Sequence, residues 1–288
     1  MSDKNINCII HTGEIQNFKI NIECNNINNL RLFHNFIKKE LIFNSTKSIN
    51  GKNLLDIACG RGGDLNKWSR AKLKFVFAFD YHEESIKIAN DRYKNIKKGA
   101  YNSIPFISFN HLSMLDPDIL NKINKSEKEI KNLKFHGKYD IVSCQFALHY
   151  FAQNESSLNN LLNTVSRKLK YGGLFIGTTT DGDLIENILK HGDVKIPLLT
   201  LIKKNNNSYI FNINSEETSR QNYFELQGES LEYYVFKDQL TQLALKNNLK
   251  LIEFKPFSEW YSKWVGEQLN PYEMIVSFLN FSFIFQKF

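Results

Sequence analysis

The chain has little cysteine and no long hydrophobic run. Among 288 residues there are four cysteines, Cys8, Cys24, Cys59 and Cys144. No pair stands at zinc-ligand spacing and nothing in their placement suggests a disulfide framework, so a reducing compartment fits best. No stretch of about 18 apolar residues exists, which argues against a membrane span. The opening Met-Ser-Asp-Lys lacks the apolar core of a signal peptide, and there is no internal repeat. These absences describe a soluble intracellular protein with no membrane partner. It would be cytoplasmic, at a viral factory or in a virion if the source is viral, or else nuclear.

Hydrophobic residues make up 42% and charged residues 23% of the chain, ordinary globular values. The 23 Phe and 12 Tyr predict an aromatic-rich interior. Lys and Arg outnumber Asp and Glu by 37 to 30, giving a formal charge of +7. That balance favours an anionic partner, nucleic acid first; a solvated Lys-rich surface explains it equally well.

Residues 1–28 read as an appendage or linker, with Phe18, Ile20 and Ile22 alternating as in a short strand. Leu30, Phe33, Ile37 and Leu41 recur at helical spacing, predicting an amphipathic helix to about Asn44. A βαβ rhythm follows. Strands are expected at 53–58, 75–80, 106–109, 139–144 and 174–178, with helices after Asp64, over 83–95 and over 155–170. Asp64 is expected to cap its helix, and Gly172-Gly173 to stop the last one. Lys122–Lys138 and Lys203–Ser219 read as polar loops, and 276–285 as a final buried strand. One doubly wound α/β domain with a mixed sheet then accounts for residues 29–288.

The chemistry concentrates at Asp56-Ile57-Ala58-Cys59-Gly60-Arg61-Gly62-Gly63-Asp64. A glycine-rich turn after a strand lets backbone approach a ligand. Asp80, at the end of the next strand, stands where a carboxylate accepts ribose hydroxyls. Tight helix packing is the bland reading of Gly62 and Gly63. The turn departs from the dinucleotide fingerprint Gly-x-Gly-x-x-Gly. Acids on both flanks suit a sulfonium and an amino group better than a pyrophosphate, which they would repel. Arg61 inside the turn points to an active-site mouth.

The run from Leu54 to Trp68 resembles the eukaryotic and viral messenger-RNA cap guanine-N7 methyltransferases. So do Phe33-His34-Asn35-Phe36-Ile37-Lys38, Ser143-Cys144-Gln145-Phe146-Ala147-Leu148-His149-Tyr150, and Gly172-Gly173-Leu174-Phe175-Ile176-Gly177-Thr178-Thr179. These motifs occur in family order and cover roughly residues 29–287. The resemblance implies a class I, Rossmann-like, S-adenosylmethionine-dependent methyltransferase. On the cofactor side it implies Lys38 at the methionine carboxylate, Asp56, Ala58 and Gly60 along the methionine, and Asp80 and Tyr81 at the nucleoside. Asn110 would meet the adenine, and Gln145 and Tyr150 the sulfonium end. The family usually has Gly at the Ala58 position and Asp at the Asn110 position. On the cap side it implies Asn35, His149 and Tyr150 around the guanine and Glu232 accepting from the base edge. Arg61, Lys67 and Arg92 would face the triphosphate, where either kind of cation can meet a phosphate. Tyr272 and Asn280 are alternative matches for a C-terminal tyrosine of the family. The implied partner is a capped RNA 5′ end (GpppN), with room for other capping domains or an activating subunit.

Without the resemblance, Lys38 and Glu232 read as ordinary surface charges and Trp68 as core. Guanine N7 carries a lone pair and no proton, so no catalytic acid, base or metal is expected. Alignment alone contributes about 7–11 kcal/mol in favourable systems. The competing readings are a class I methyltransferase for another RNA or a small molecule, and a non-catalytic methyltransferase-like RNA-binding subunit; fold alone does not decide among them.

Overall fold

The computed structural model describes residue 15 and residues 27–99, 104–130, 137–214 and 229–288. Cys8, Cys24 and the strand expected at Phe18–Ile22 lie outside the described residues.

Helix α1 (Asn28–Ser48) buries Leu30, Phe33, Ile37 and Leu41 along one stripe, as the spacing predicted. The βαβ succession then runs β1 (Asn53–Ile57), α2 (Leu65–Arg70), β2 (Phe75–Asp80), α3 (Glu83–Gly99), β3 (Phe106–His111), α4 (Ile119–Lys128), β4 (Tyr139–Gln145), α5 (Leu148–Phe151), α6 (Glu155–Lys168) and β5 (Leu169–Thr180). Every residue of β2 is buried, the expected state of a strand covered on both faces. After α7 (Gly182–Leu189) come β6 (Val194–Ile196), β7 (Leu199–Lys203), β8 (Ser208–Ile213) and β9 (Ser230–Tyr233). The chain closes with α8 (Lys237–Lys246), β10 (Leu249–Pro256), α9 (Phe257–Tyr261), α10 (Pro271–Phe278) and β11 (Asn280–Lys287).

Seven strands form one sheet in the order β10-β11-β5-β4-β1-β2-β3. Strands β1 to β5 are parallel, and β11 runs antiparallel between β5 and β10. This is the doubly wound mixed sheet the sequence predicted. The chain lays down β1, β2 and β3 in one direction, then returns to place β4 on the other side of β1. That reversal opens a crevice at the carboxyl ends of β1 and β4, where ligands bind in open α/β sheets.

Several expectations need correction. The stretch Lys122–Lys138 begins inside α4, which buries Ile119 and Ile123, and its residues 131–136 lie outside the described residues; the exposed lysines of α4 obscured the helical period. Within Lys203–Ser219, Asn205–Asn207 form only the turn of a hairpin, and β8 follows with Tyr209, Phe211 and Ile213 buried. The stretch 276–285 is the end of α10 joined to β11. Its start signal is Asn270, whose side chain accepts from Glu273 N while Glu273 bonds back to Asn270 N, with Pro271 in the first turn, a capping box with proline. Helix α6 stops at Lys168, and Gly172-Gly173 lies inside β5. The antiparallel sheet β6-β7-β8-β9 was not foreseen. It shares a core with α1 and α10 through Val194, Leu201, Phe211, Phe33 and Ile275. Among the described residues, no helix is long and apolar enough to cross a membrane.

Candidate functional site

The turn after β1 is built from unusual backbone. Ala58, Gly60 and Gly62 all have positive φ, at 57°, 51° and 71°. A Cβ on Gly62 would sit 3.2 Å from Ala89 Cβ, whereas nothing lies near Gly63; tight packing against α3 therefore accounts for Gly62 alone. Ala58 is a non-glycine residue in the left-handed region, which costs about 1–2 kcal/mol. Against the backbone entropy of glycine, Ala58→Gly should still stabilise the chain by about 1 kcal/mol. Thermal unfolding should read this as a rise in Tm of about 2 °C; an unchanged or lower Tm would show the strain to be relieved elsewhere.

The turn is tied to β2. Cys59 N donates to Phe79 O at 3.0 Å and Gly60 N to the Asp80 carboxylate at 2.9 Å. The other Asp80 oxygen accepts from His82 N at 2.9 Å. Asp80 thus ties the turn to the end of β2 through both carboxylate oxygens. Tyr81, next along, is 59% exposed, a ring presented at the crevice edge.

Beneath the turn lies a charged cluster. Asp64 begins α2 without capping it, contrary to expectation. Its carboxylate is instead claimed by Lys38 at 2.8 Å and Lys67 at 2.7 Å. Burial alone would raise its pKa; the two ammonium groups overcome that and hold it at about 2. Asp56, buried at the end of β1, is the reverse case. Burial, then the nearby Asp64 charge, pushes it up to about 8. Asp56 Oδ1 has no hydrogen-bond partner, an arrangement that costs about 1–3 kcal/mol. A cationic donor placed above β1 would satisfy it, so this crevice fits a ligand carrying an ammonium group.

Two amides flank the crevice. Asn110 Nδ2 donates to Ala78 O, Ser108 O and Ser108 Oγ at 3.1–3.3 Å, so only its Oδ1 remains to meet a ligand, as an acceptor. Gln145, ending β4, donates to Ser143 Oγ at 3.2 Å and accepts from Thr178 Oγ1 at 3.1 Å. Its orientation is fixed from both ends.

Beside the crevice a small cavity of ≈ 20 Å³ opens, far below the usual range of about 300–1,000 Å³ for ligand pockets. His34 stacks on Phe146 with centroids 5.1 Å apart and planes 22° apart, and its Nε2 lies 3.0 Å from Ser277 Oγ. Opposite, Glu232 Oε2 accepts from Tyr209 Oη at 3.0 Å and Thr180 Oγ1 at 3.4 Å. Glu232 Oε1 has His149 Nε2 as a neighbour at 3.6 Å, beyond hydrogen-bond range. His149 Nε2 is buried without a partner. Burial pushes Glu232 up to about 8 and His149 down to about 3, so a neutral acid faces a neutral imidazole near pH 7. Tyr150 packs edge-on against His149 at 4.3 Å and meets Ser230 Oγ through its hydroxyl at 3.0 Å. Asn280 lines the same cavity.

The structure therefore gathers Asp56, Ala58, Gly60, Asp80, Tyr81, Asn110 and Gln145 along the crevice. It gathers His149 and Glu232 at the cavity, with Tyr150 alongside. Lys38 and Asn35 come from α1, and Lys67 Nζ donates to Asn35 Oδ1 at 2.8 Å. Exposed Arg92 donates to Arg61 O at 2.8 Å, which places its guanidinium beside the turn. Of the two C-terminal alternatives, Asn280 reaches the cavity and Tyr272 is buried within α10. Sequence reasoning missed His34, Phe146 and Thr180 as cavity residues. His34 is buried on α1 beside the apolar stripe; Phe146 hides in an apolar run. Among the described residues, no group of three or more His, Cys, Asp or Glu could hold a metal ion.

Comparison with known proteins points one way. The profile of the mRNA (guanine-N(7))-methyltransferase domain matches residues 9–276. A probable mRNA-capping enzyme of Acanthamoeba polyphaga mimivirus is 35% identical over 64% of this chain, which spans 16% of that protein. An mRNA cap guanine-N(7) methyltransferase of Candida glabrata is 30% identical over 82% of this chain and 58% of its own length. The chain thus spans less than two thirds of these relatives. An S-adenosylmethionine-dependent methyltransferase from Clostridium acetobutylicum superposes with a TM-score of 0.54 at 14% identity, covering 89% of this chain and 96% of that one. A likeness of that kind establishes the fold.

Proposed function

The chain belongs to the mRNA (guanine-N(7))-methyltransferase family, and from that membership we propose that it methylates N7 of a GpppN-capped RNA, using S-adenosylmethionine. The observation that carries this reading is the adjoining pair of sites. A crevice suited to a cationic ligand lies beside a cavity whose single buried acid, Glu232, has one carboxyl oxygen unclaimed.

In this reading Lys38 holds the methionine carboxylate, and Asp56 receives the methionine ammonium. Asp80 takes ribose hydroxyls, Asn110 Oδ1 accepts from the adenine amino group, and Tyr81 covers the base. When bound, the cofactor supplies an activated methyl group. The chain's own work is orientation and exclusion of water. His149 and Tyr150 border the guanine, with Asn35 at its rim, and Glu232 accepts from the N–H groups of its base edge. Guanine N7 has no proton to lose, so the residues need only hold its lone pair in line with the methyl carbon, and approach geometry supplies the acceleration. Neutral His149 and protonated Glu232 leave the cavity uncharged until a base enters.

The test is transfer of labelled methyl from S-adenosylmethionine to GpppRNA and to uncapped pppRNA. Label should appear only on the capped RNA, as 7-methylguanosine after digestion. Label on uncapped RNA, or at another position, would replace this reading with a different RNA methyltransferase. A second expectation concerns the arginines beside the turn. If Arg61 and Arg92 meet the triphosphate, the slope of log affinity for capped RNA against log salt should flatten by roughly 0.7 for each one replaced by Met. Unchanged slopes would remove both from the triphosphate path.

A further inference from the structure

Lys67 was expected beside Arg61 and Arg92 as a cap-phosphate ligand, but its surroundings fit another task. Its Nζ lies 2.7 Å from Asp64 Oδ1, 2.8 Å from Asn35 Oδ1 and 3.2 Å from Gly63 O. An ammonium has three hydrogens and no other donor. Two of the hydrogens are taken by Asn35 Oδ1 and Gly63 O, the Asp64 carboxylate pairs with the ammonium on another side, and the side chain is only 11% exposed. A phosphate oxygen could enter only by displacing one of them. Arg92 is the contrast: it is exposed, and of its five N–H donors one is seen to be used, toward Arg61 O.

The acceptors are not equivalent in function. Asn35 is assigned to the guanine rim, and Asp64 also binds Lys38 at 2.8 Å, the residue assigned to the methionine carboxylate. The contacts run Asn35–Lys67–Asp64–Lys38, from the cap side of the site to the cofactor side, joining α1 to the start of α2. We infer that Lys67 is a positioning residue that fixes Asn35 and, through Asp64, Lys38, and that it is not a ligand of the cap phosphates. The ligand names rest on the functional reading above; the geometry of the network does not.

The experiment uses the full chain with Lys67→Met, titrated calorimetrically with S-adenosylhomocysteine, which carries no phosphate, and with a short GpppN-capped RNA over a salt series. Cofactor-product affinity should fall ~10-fold or more, the scale of losing a hydrogen bond to a charged group. Capped-RNA affinity should also fall, with its salt slope unchanged from the parent. Unaltered S-adenosylhomocysteine affinity overturns the inference. A salt slope flattened by roughly 0.7 overturns it too, because that is the mark of a lost phosphate contact. Should Lys67→Met fail to fold, Lys67→Gln carries the same comparison, since its amide still donates to one acceptor but brings no charge to a phosphate. A parent chain that binds neither ligand refutes the functional reading, and this inference with it. A parent that binds both, beside a variant with a flattened slope, refutes the inference alone.

Discussion

Asp80→Ala is expected to weaken S-adenosylhomocysteine binding at least ~100-fold in a chain that still folds. The carboxylate accepts from Gly60 N and His82 N, both at 2.9 Å. Such charge-assisted bonds are worth about 1.5–3 kcal/mol each, and a hundredfold change corresponds to about 2.8 kcal/mol. The variant loses the anchor of the turn, leaves Gly60 N–H without its acceptor, and removes the carboxylate proposed to take ribose hydroxyls. Asp80→Asn should fall between, because the amide keeps one acceptor oxygen but turns donors toward one of the backbone N–H groups. The sheet should survive: β2 pairs with β1 from Phe75 to Phe79 and with β3 from Phe75 to Asp80, and Asp80 stands at its last position. Calorimetry gives the affinity and circular dichroism the fold. An Asp80→Ala chain that binds within threefold of the parent would mean the cofactor lies elsewhere.

What the sequence disclosed follows from how local each feature is. The segment from β1 through the turn to β2 was legible because its apolar runs are buried on both faces and its turn needs residues at fixed offsets. Asp80 could be placed for the same reason. The cavity could not be assembled that way. His34 comes from α1, Phe146 and His149 from the end of β4 and α5, Thr180 from β5, Glu232 from β9 and Asn280 from β11. They meet only because β11 inserts beside β5, pairing Asn280 with Thr180, and because Tyr209 on β8 lies opposite Glu232 on β9. Neither pairing has a signature at short range. Spacing also misled where charge hid a period, as in α4. The positive φ of Ala58 cannot be read from an alanine. Residue type and position left a phosphate contact open to Lys67; its contacts with Asn35, Gly63 and Asp64 became visible only with α1 packed against α2.

Glu232 should make cap binding steeply dependent on pH. Its carboxyl is held at about 8 by burial, despite hydrogen bonds from Tyr209 and Thr180 that favour the ionised form. A guanine base edge offers two N–H donors side by side, which bind a carboxylate well and a protonated acid poorly. Binding should therefore release close to one proton, and affinity should rise roughly tenfold per pH unit from about pH 6 toward 8. His149, pushed down to about 3, stays neutral across that window and cannot supply the slope. Calorimetry with a capped dinucleotide, in two buffers of different ionisation enthalpy, counts the protons directly. Glu232→Gln should lose ~100-fold in affinity at pH 8, because one amide oxygen replaces two acceptors and its NH2 opposes a guanine donor, and should show almost no pH dependence. Stability carries the opposite sign. A carboxyl raised above its ordinary 4.5 favours the folded state fully below that value, and the advantage is lost as pH climbs through about 8. Glu232→Gln should thus match its parent near pH 5 and exceed it in Tm at pH 8. Asp56, also held near 8, is present in both chains and cancels. A parent whose cap affinity is flat from pH 6 to 8 would mean that Glu232 does not receive the guanine.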